Sequence, residues 1–199
     1  EAVRWYRLAA DQGFADAQFN LGVLYANGLG VPRDEAEAVR WYRLAADQGF
    51  ADAQSNLGYM YANGLGVPRD EVEAVRWYRL AADQGLALAQ YNLGYVYVNG
   101  EGVPRDEAEG VRWYRLAADQ GLADAQSNLG YVYANGIGVS RDFVLAYMWA
   151  SLAIIHEPTE IAITQDLIRD LQQEMTSEQI SESQQLAREW LETHPLDGN

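Results

Sequence analysis

The stretch AVRWYRLAADQG, residues 2–13, recurs without change at 38–49 and 74–85, and with one substitution at 110–121. The repeat period is therefore 36 residues. The first two complete units differ at four positions, so 32 of 36 positions match. Self-similarity at a fixed period of this length is typical of proteins whose repeats stack on one another. The repeat, rather than any single motif, decides the architecture.

Each unit predicts two helices. Apolar residues fall at helical spacing in both halves of the unit, which gives each helix one apolar face. These are Ala17, Leu21, Leu24 and Tyr25 in the first helix, and Ala38, Trp41, Tyr42 and Ala45 in the second. Small residues such as Gly22 and Ala46 allow neighbouring backbones to approach while the aromatic rings fill the space between them. We predict an all-α fold, a right-handed α-solenoid of 36-residue helix-pair repeats whose first helices line the concave surface.

The connector between the two helices reads NGLGVPRD at 27–34, with two glycines one residue apart. A dinucleotide-binding loop would need a third glycine and a preceding strand, and the sequence has Arg33 and a helix there instead. Gly28 suits a helix C-terminus in the left-handed conformation. Asp34 suits the N-cap of the next helix. The connector is predicted to join helices, not to bind phosphate.

The repeated pattern resembles the Sel1-like repeat, a longer relative of the tetratricopeptide repeat. The resemblance covers residues 1 to about 155 and rests on these positions: Ala17, Leu21, Gly22, Tyr25, Gly28, Gly30, Val31, Asp34, Ala38, Trp41, Ala45, Ala46 and Gly49. It implies a protein–protein interaction scaffold, commonly bacterial and often found in the cell envelope or at host contacts. It implies no single partner.

The repeats are expected to end in a helical cap. We place tandem repeats at 1–155, with a partial unit at 1–13 and full units at about 14–49, 50–85, 86–121 and 122–155. In the last unit, uncharged Met148, Ser151 and Ile155 replace the charged outward residues of earlier units. Residues 156–199 should cover that face with two helices. Their expected bounds are about Thr159 to Met175 and Ser177 to about Glu192, with Thr176 as the N-cap of the second.

Composition excludes several classes of function. The net charge of −15 opposes binding to nucleic acid. The chain has no cysteine, no lysine and no apolar run long enough for a membrane span. Its two histidines, His156 and His194, are far apart in the linear array, and no nucleophile–base spacing is visible. We therefore expect no enzyme activity, no cofactor, no metal site and no membrane insertion.

Differences between the repeats collect on the first helix, at positions away from its apolar face. These variable columns, together with the invariant asparagine column on the same helix, are candidate partner-binding residues, because tyrosine is a frequent hot-spot residue and asparagine can pair with an extended backbone. They are Phe19, Asn20, Val23, Ser55, Asn56, Tyr59, Leu88, Tyr91, Asn92, Tyr95, Ser127, Asn128 and Tyr131. The alternative is that the tyrosines pack against adjacent repeats. For the column of Asn27, Asn63, Asn99 and Asn135 we favour a role in ending the helix.

Two rows of arginine, which begin at Arg4 and Arg7, run along the second helices. Glu37 lies three residues before Arg40, and Asp47 four residues after Arg43, so we expect both rows to be neutralised within their own helix. The predicted function is a scaffold that binds a peptide or protein along the concave face. The alternative is a spacer or self-assembly element. Because the chain begins within a repeat, its N-terminal edge would either contact upstream repeats or mediate self-association.

Overall fold

A computed structural model of the chain describes residues 2–157 and 162–195. Those residues form eleven α-helices and no strand, which confirms the all-α prediction. The helices are α1 (Ala2–Ala10), α2 (Ala15–Asn27), α3 (Glu35–Asp47), α4 (Ala51–Asn63), α5 (Glu71–Ala82), α6 (Ala87–Asn99), α7 (Glu107–Ala118), α8 (Ala123–Asn135), α9 (Phe143–His156), α10 (Ala162–Glu174) and α11 (Ser177–Thr193).

The chain divides into two compact units. The first comprises residues 1–89 with 101–104, and the second 90–100 with 105–199. In the first unit, α1 packs on α2, α2 on α3, α3 on α4 and α4 on α5. In the second, α7 packs on α8 and α8 on α9, while α10 and α11 cover α9. Within each unit, these helices thus pack mainly on their neighbours in the sequence, as expected of helix-pair repeats.

The predicted helix boundaries are confirmed at the connector. Asp34 caps α3, where its Oδ1 accepts a hydrogen bond of 3.0 Å from the backbone N–H of Glu37. Asp70, Asp106 and Asp142 cap their helices in the same way. Gly28 ends α2 in the left-handed conformation at φ 68°. Each feature satisfies backbone groups that the helix end would otherwise leave without a partner.

The second glycine of the connector provides space between repeats. Gly66 has φ +69°, and a Cβ placed there would lie 2.3 Å from the carbonyl of Glu35. Gly102 approaches Glu71 equally closely, and Gly138 lies within 2.5 Å of Glu107 by the same measure. The connector of one repeat therefore packs directly on the N-terminus of the preceding repeat's second helix. A side chain at this position would separate the two.

The core alternates small residues with aromatic rings. Leu21, Leu57, Leu93 and Leu129 are fully buried. The ring of Tyr42 lies on Gly22, where a Cβ would come within 2.6 Å of it. Trp41 of α3 is also buried and packs with Ala10 of α1, in the preceding repeat, and with Ala17 and Leu21 of α2, in its own repeat. This packing confirms that the small residues admit the rings.

A buried row of glutamines links successive helix pairs. Gln18 donates to the backbone carbonyl of Ala10 at 3.2 Å, and its own Oε1 accepts from Gln48 Nε2 at 2.7 Å. The same bonds recur between Gln84 and Gln54 and between Gln120 and Gln90. At the end of the row, Gln126 Oε1 is buried and has no hydrogen-bond partner within the described residues. The position 36 residues after Gln120 holds His156, whose Nδ1 lies 2.9 Å from the carbonyl of Leu152.

The helices after α9 follow the predicted pattern where they are described. Leu171 of α10, Met175 directly after that helix and Ala187 of α11 are buried. Thr176 forms a capping box with Gln179 at the start of α11, which confirms that N-cap. The predicted helix start at Thr159 lies outside the described residues. Of the uncharged residues on α9, Met148 is buried, whereas Ile155 remains 42% exposed.

The two arginine rows have different partners. Arg40 pairs with Glu37 at 3.0 Å, as predicted, and the pair recurs at Arg76 and Arg112. The Arg43 guanidinium instead donates to the Tyr61 hydroxyl and lies 5.6 Å from the centre of that ring. The predicted partner of Arg43, Asp47, was therefore wrong. A hydroxyl on the neighbouring first helix is within reach, and the spacing along one helix does not reveal it.

Candidate functional site

The candidate binding residues lie on the first helix of each repeat, and their tyrosines differ sharply from those of the second helices. Tyr59 and Tyr131 are each 53% exposed, and Tyr95 is 44% exposed. In contrast, Tyr42 of the second helix is 3% exposed. The core does not need Tyr59, Tyr95 and Tyr131 for filling. Their large apolar rings are available at the surface.

In the first unit, Phe19 and Val23 are half-buried on α2. The Phe19 ring lies 5.9 Å from the Tyr42 ring and 5.2 Å from the Phe50 ring, in tilted arrangements that suit aromatic pairs. Asn20 donates from Nδ2 to the carbonyl of Asp16 at 2.7 Å, within its own helix. Phe19 is thus held by its neighbours, whereas the amide oxygen of Asn20 keeps acceptor capacity.

Asn56 and Tyr59 of α4 line a cavity of about 320 Å³ in the first unit. Tyr42 contributes its ring to the same cavity and is hydrogen-bonded to the Asn56 side chain. Burial raises the pKa of the Tyr42 phenol, and this hydrogen bond offsets part of the rise. The phenol therefore stays protonated at neutral pH. The exposed ring of Tyr59 and the side-chain amide of Asn56, which interacts with Tyr42, therefore line the same cavity.

Two residues of the predicted columns are committed to internal packing. Ser55 is only 2% exposed, so its hydroxyl offers no surface to a partner. Ser127 is half-buried, and its hydroxyl pairs with that of Thr164 on α10 at 2.6 Å. Both are small enough for an adjacent helix to cover. Ser55 is therefore not available to a partner, and Ser127 contacts α10.

In the second unit, Asn128 is the hydrogen-bonding centre of the site. Its side chain is hydrogen-bonded to the phenols of Tyr91 and Tyr114, whose rings lie 5.8 Å apart. Burial, followed by the nearby charge of Asp124, raises the pKa of Tyr91. Tyr91, Asp124 and Asn128 also line a cavity of about 660 Å³.

The remaining candidates vary in exposure. Leu88, where the other repeats have aspartate, is 46% exposed, and Asn92 is half-buried. The side chains of Asn27, Asn63, Asn99 and Asn135 each donate to the carbonyl four residues earlier on their own helix. That bonding agrees with their interpretation as residues that help to end the helix.

Within residues 2–157 and 162–195, no group of three or more His, Cys, Asp or Glu side chains is placed to hold a metal ion. No helix in those ranges has the length and hydropathy needed to cross a membrane.

Sequence comparison of the repeats missed a third cavity, of about 400 Å³, between α8 and α10. Tyr131 of α8 lies on one side, and Asp166, Asp170 and Glu174 of α10 on the other. The repeat columns could not reveal α10, because that helix has no counterpart in the earlier repeats. The available signal was the four-residue spacing of its three acids.

The helix pairs, their capped connectors and their surface columns define an α-solenoid repeat protein. The Sel1 repeat matches residues 1–14, 15–50, 51–86, 87–122 and 123–155. The chain therefore belongs to the Sel1 repeat family, as its sequence pattern predicted. Proteins of this family are generally scaffolds for protein–protein interaction rather than catalysts.

Solved bacterial structures share the fold. The crystal structure of c5321, a protective antigen present in uropathogenic Escherichia coli strains, matches with a TM-score of 0.87 and 36% identity. The match covers 96% of this chain but only 40% of the E. coli protein. A Sel1 repeat protein from Oxalobacter formigenes matches with a TM-score of 0.79 and 34% identity, over 97% of this chain and 77% of that one. No match was found among functionally curated proteins.

Proposed function

We propose that this chain binds an extended segment of a partner protein along the first-helix surfaces of its repeats. The observation that carries the proposal is the exposure of tyrosine at a 36-residue interval, in Tyr59, Tyr95 and Tyr131. Exposed aromatic rings at repeated positions offer a partner large, rigid contacts with a polar tip. We infer a recruiting scaffold without catalytic activity.

The polar residues beside the tyrosines suit an extended backbone. An asparagine side chain can donate and accept at once, and each repeat places one asparagine beside its tyrosine column. The side chains of Asn56 and Asn128 each interact with a buried tyrosine phenol, which reduces the number of orientations open to them before a partner binds. Such preorganisation reduces the entropy lost on binding. The net charge of −15 further favours a protein partner over nucleic acid.

The interaction can reach useful affinity with few contacts. A micromolar complex requires about −8 kcal/mol. A hot-spot residue contributes roughly 2 kcal/mol, so three or four anchors suffice. Since the anchors repeat along the array, partners with apolar side chains at matching intervals would be preferred.

Replacement of Tyr59 and Tyr95 with alanine is expected to weaken the binding of selected peptides by at least tenfold, because it removes two exposed anchors. The peptides would come from a random display library selected on the parent chain. Fluorescence polarisation would then compare their affinity for the parent and for the double variant. Circular dichroism should show the same helix content in both.

The matched control is Leu80→Ala with Leu116→Ala. These residues are each 41% exposed, on second helices, so the control deletes two exposed apolar side chains elsewhere. Its affinity for the selected peptides should stay within twofold of the parent. Equal losses in both double variants, or no enriched peptide at all, would count against the proposal.

A second candidate function is self-association through α1. Trp5 is 69% exposed, whereas its equivalents Trp41, Trp77 and Trp113 are buried against neighbouring helices. At the other end of the array, α10 and α11 cover α9. A head-to-tail contact would need that covered surface, so we propose a symmetric contact between the α1 helices of two chains.

Sedimentation velocity tests this contact. The parent should form dimers at high protein concentration, and Trp5→Glu should remain monomeric because a charge at the centre of the contact opposes its burial. Val72→Glu, at a site that is 68% exposed on α5, is the control and should dimerise like the parent. A parent that stays monomeric throughout would exclude this candidate.

A further inference from the structure

We propose that the cavity between α8 and α10 binds a short basic segment of the partner in an extended conformation. The inference rests on the proposed peptide-binding function and adds the chemistry of the ligand at the C-terminal end of the site. All of the residues concerned lie in the second compact unit. The cavity has a volume of about 400 Å³.

The α10 side of the cavity has an apolar stripe beside an acidic one. Ile163, Leu167 and Leu171 recur every four residues, and so do Asp166, Asp170 and Glu174. Leu171 is buried at 3% exposure, whereas Ile163 is 81% exposed. The three acids are exposed. A ligand that lies along α10 would therefore meet an apolar floor and a negatively charged rim.

The α8 side adds aromatic surface. Tyr131 is 53% exposed at the cavity, and Phe143 of α9 lines it as well. A tyrosine ring attracts a cationic side chain through its negative face. Among the described residues that line the cavity, three are carboxylates and none is basic. The guanidinium of Arg141 lies 5.1 Å from the centre of the Phe143 ring, so three carboxylates face one cation beside the cavity, and the excess of negative charge favours a positively charged ligand.

The acids of α10 are available to such a ligand. Asp166 pairs with Arg169 at 2.8 Å, but both side chains are about two-thirds exposed, at 65% and 67%. Exposed ion pairs of this kind contribute little and exchange readily. The whole chain carries 29 acidic side chains against 14 basic ones, so long-range attraction would add to the local field.

The spacing of the acids selects the ligand conformation. Asp166 and Glu174 are eight residues apart on one helix, which corresponds to roughly 12 Å. In an extended peptide, the first and fifth residues are roughly 13 Å apart, and alternate side chains point to the same side. Basic residues at positions one, three and five would then face the acids, and apolar residues at two and four would face the opposite side.

The test uses a fluorescein-labelled peptide of alternating lysine and leucine, five residues long with lysine at both ends. Binding is measured by fluorescence polarisation to the parent chain and to the triple variant Asp166→Asn, Asp170→Asn and Glu174→Gln. We expect at least a tenfold loss of affinity in the variant. A peptide with glutamate in place of lysine should bind the parent at least tenfold more weakly than the lysine peptide.

The control replaces three exposed acids of α11, Glu182, Glu189 and Glu192, with glutamine. Each triple variant changes the net charge from −15 to −12, so both weaken the overall attraction equally. The control variant should lose less than twofold in affinity for the lysine peptide. Equal losses in the two variants would show attraction to the overall charge and would overturn the inference, as would failure of the lysine peptide to bind the parent.

The result also separates this inference from the proposed function. Display-selected peptides that depend on Tyr59 and Tyr95, but not on the acids of α10, would overturn the basic-segment inference and leave the scaffold proposal intact. Lysine-peptide binding that depends on the α10 acids, with no peptide dependent on those tyrosines, would support the basic site alone.

Discussion

Gly66→Ala is expected to lower the free energy of unfolding by about 3 kcal/mol or more. The left-handed conformation at φ +69° costs an alanine about 1–2 kcal/mol. In addition, the new Cβ would lie 2.3 Å from the backbone carbonyl of Glu35, which no side-chain rotation can relieve. Moving the connector away from α3 would loosen the contact between two repeats, at a cost of the size seen for overpacked cores.

Gly30→Ala is the matched control, because Gly30 occupies the same connector position at φ +73°. A Cβ at Gly30 would meet only a methyl group of Val3, at 3.2 Å, and that side chain can move. Gly30→Ala should therefore lower the free energy of unfolding only by the conformational cost of about 1–2 kcal/mol. Urea unfolding followed by circular dichroism gives both values. Equal losses of unfolding free energy in the two variants would mean that the short distance to Glu35 does not make a side chain at position 66 unfavourable.

Trp41→Ala should lower the free energy of unfolding by about 3–5 kcal/mol, the usual cost of deleting a buried large aromatic side chain. Trp41 is 3% exposed and packs with Ala10, Ala17 and Leu21. The variant also loses the 2.9 Å hydrogen bond from Trp41 Nε1 to Glu37 and the ring beneath Arg40. Because the ring lies between two helix pairs, the loss should reduce the coupling between repeats.

The chain contains its own control for this substitution. Trp5 lies in the same twelve-residue sequence, AVRWYRLAADQG, but is 69% exposed. Trp5→Ala should change the free energy of unfolding by less than about 0.5 kcal/mol, as is usual for surface substitutions. The unfolding of both variants should be measured at low protein concentration, so that no second chain covers α1. Similar losses at the two positions would contradict the packing described for Trp41.

Features that depend on one helix could be predicted from the sequence. Asp34 marks a helix start and Gly28 a helix end through local hydrogen bonds and backbone conformation, and both were placed correctly. The spacing of Trp41 and Tyr42 also identified the buried face. These predictions needed no distance between separate helices.

Features that depend on the distance between helices could not be predicted. The Gln18–Gln48 bond joins residues thirty positions apart, and the Tyr61 partner of Arg43 lies on another helix. For the same reason, Ser55 was expected at the surface although its side chain is covered. The cavity beside α10 depends on how that helix docks, and no repeat provides a template for it.

The near-identity of the units has a consequence for how this array changes in evolution. Because one repeat meets the next through the same glycine, glutamine and tryptophan contacts, inserting or deleting a multiple of 36 residues would create no new type of interface. The helices after α9 would still meet the same last repeat. Unequal recombination within the gene could thus lengthen or shorten the molecule in whole steps, and each added copy of the repeat at 50–85 would bring one more exposed tyrosine, equivalent to Tyr59.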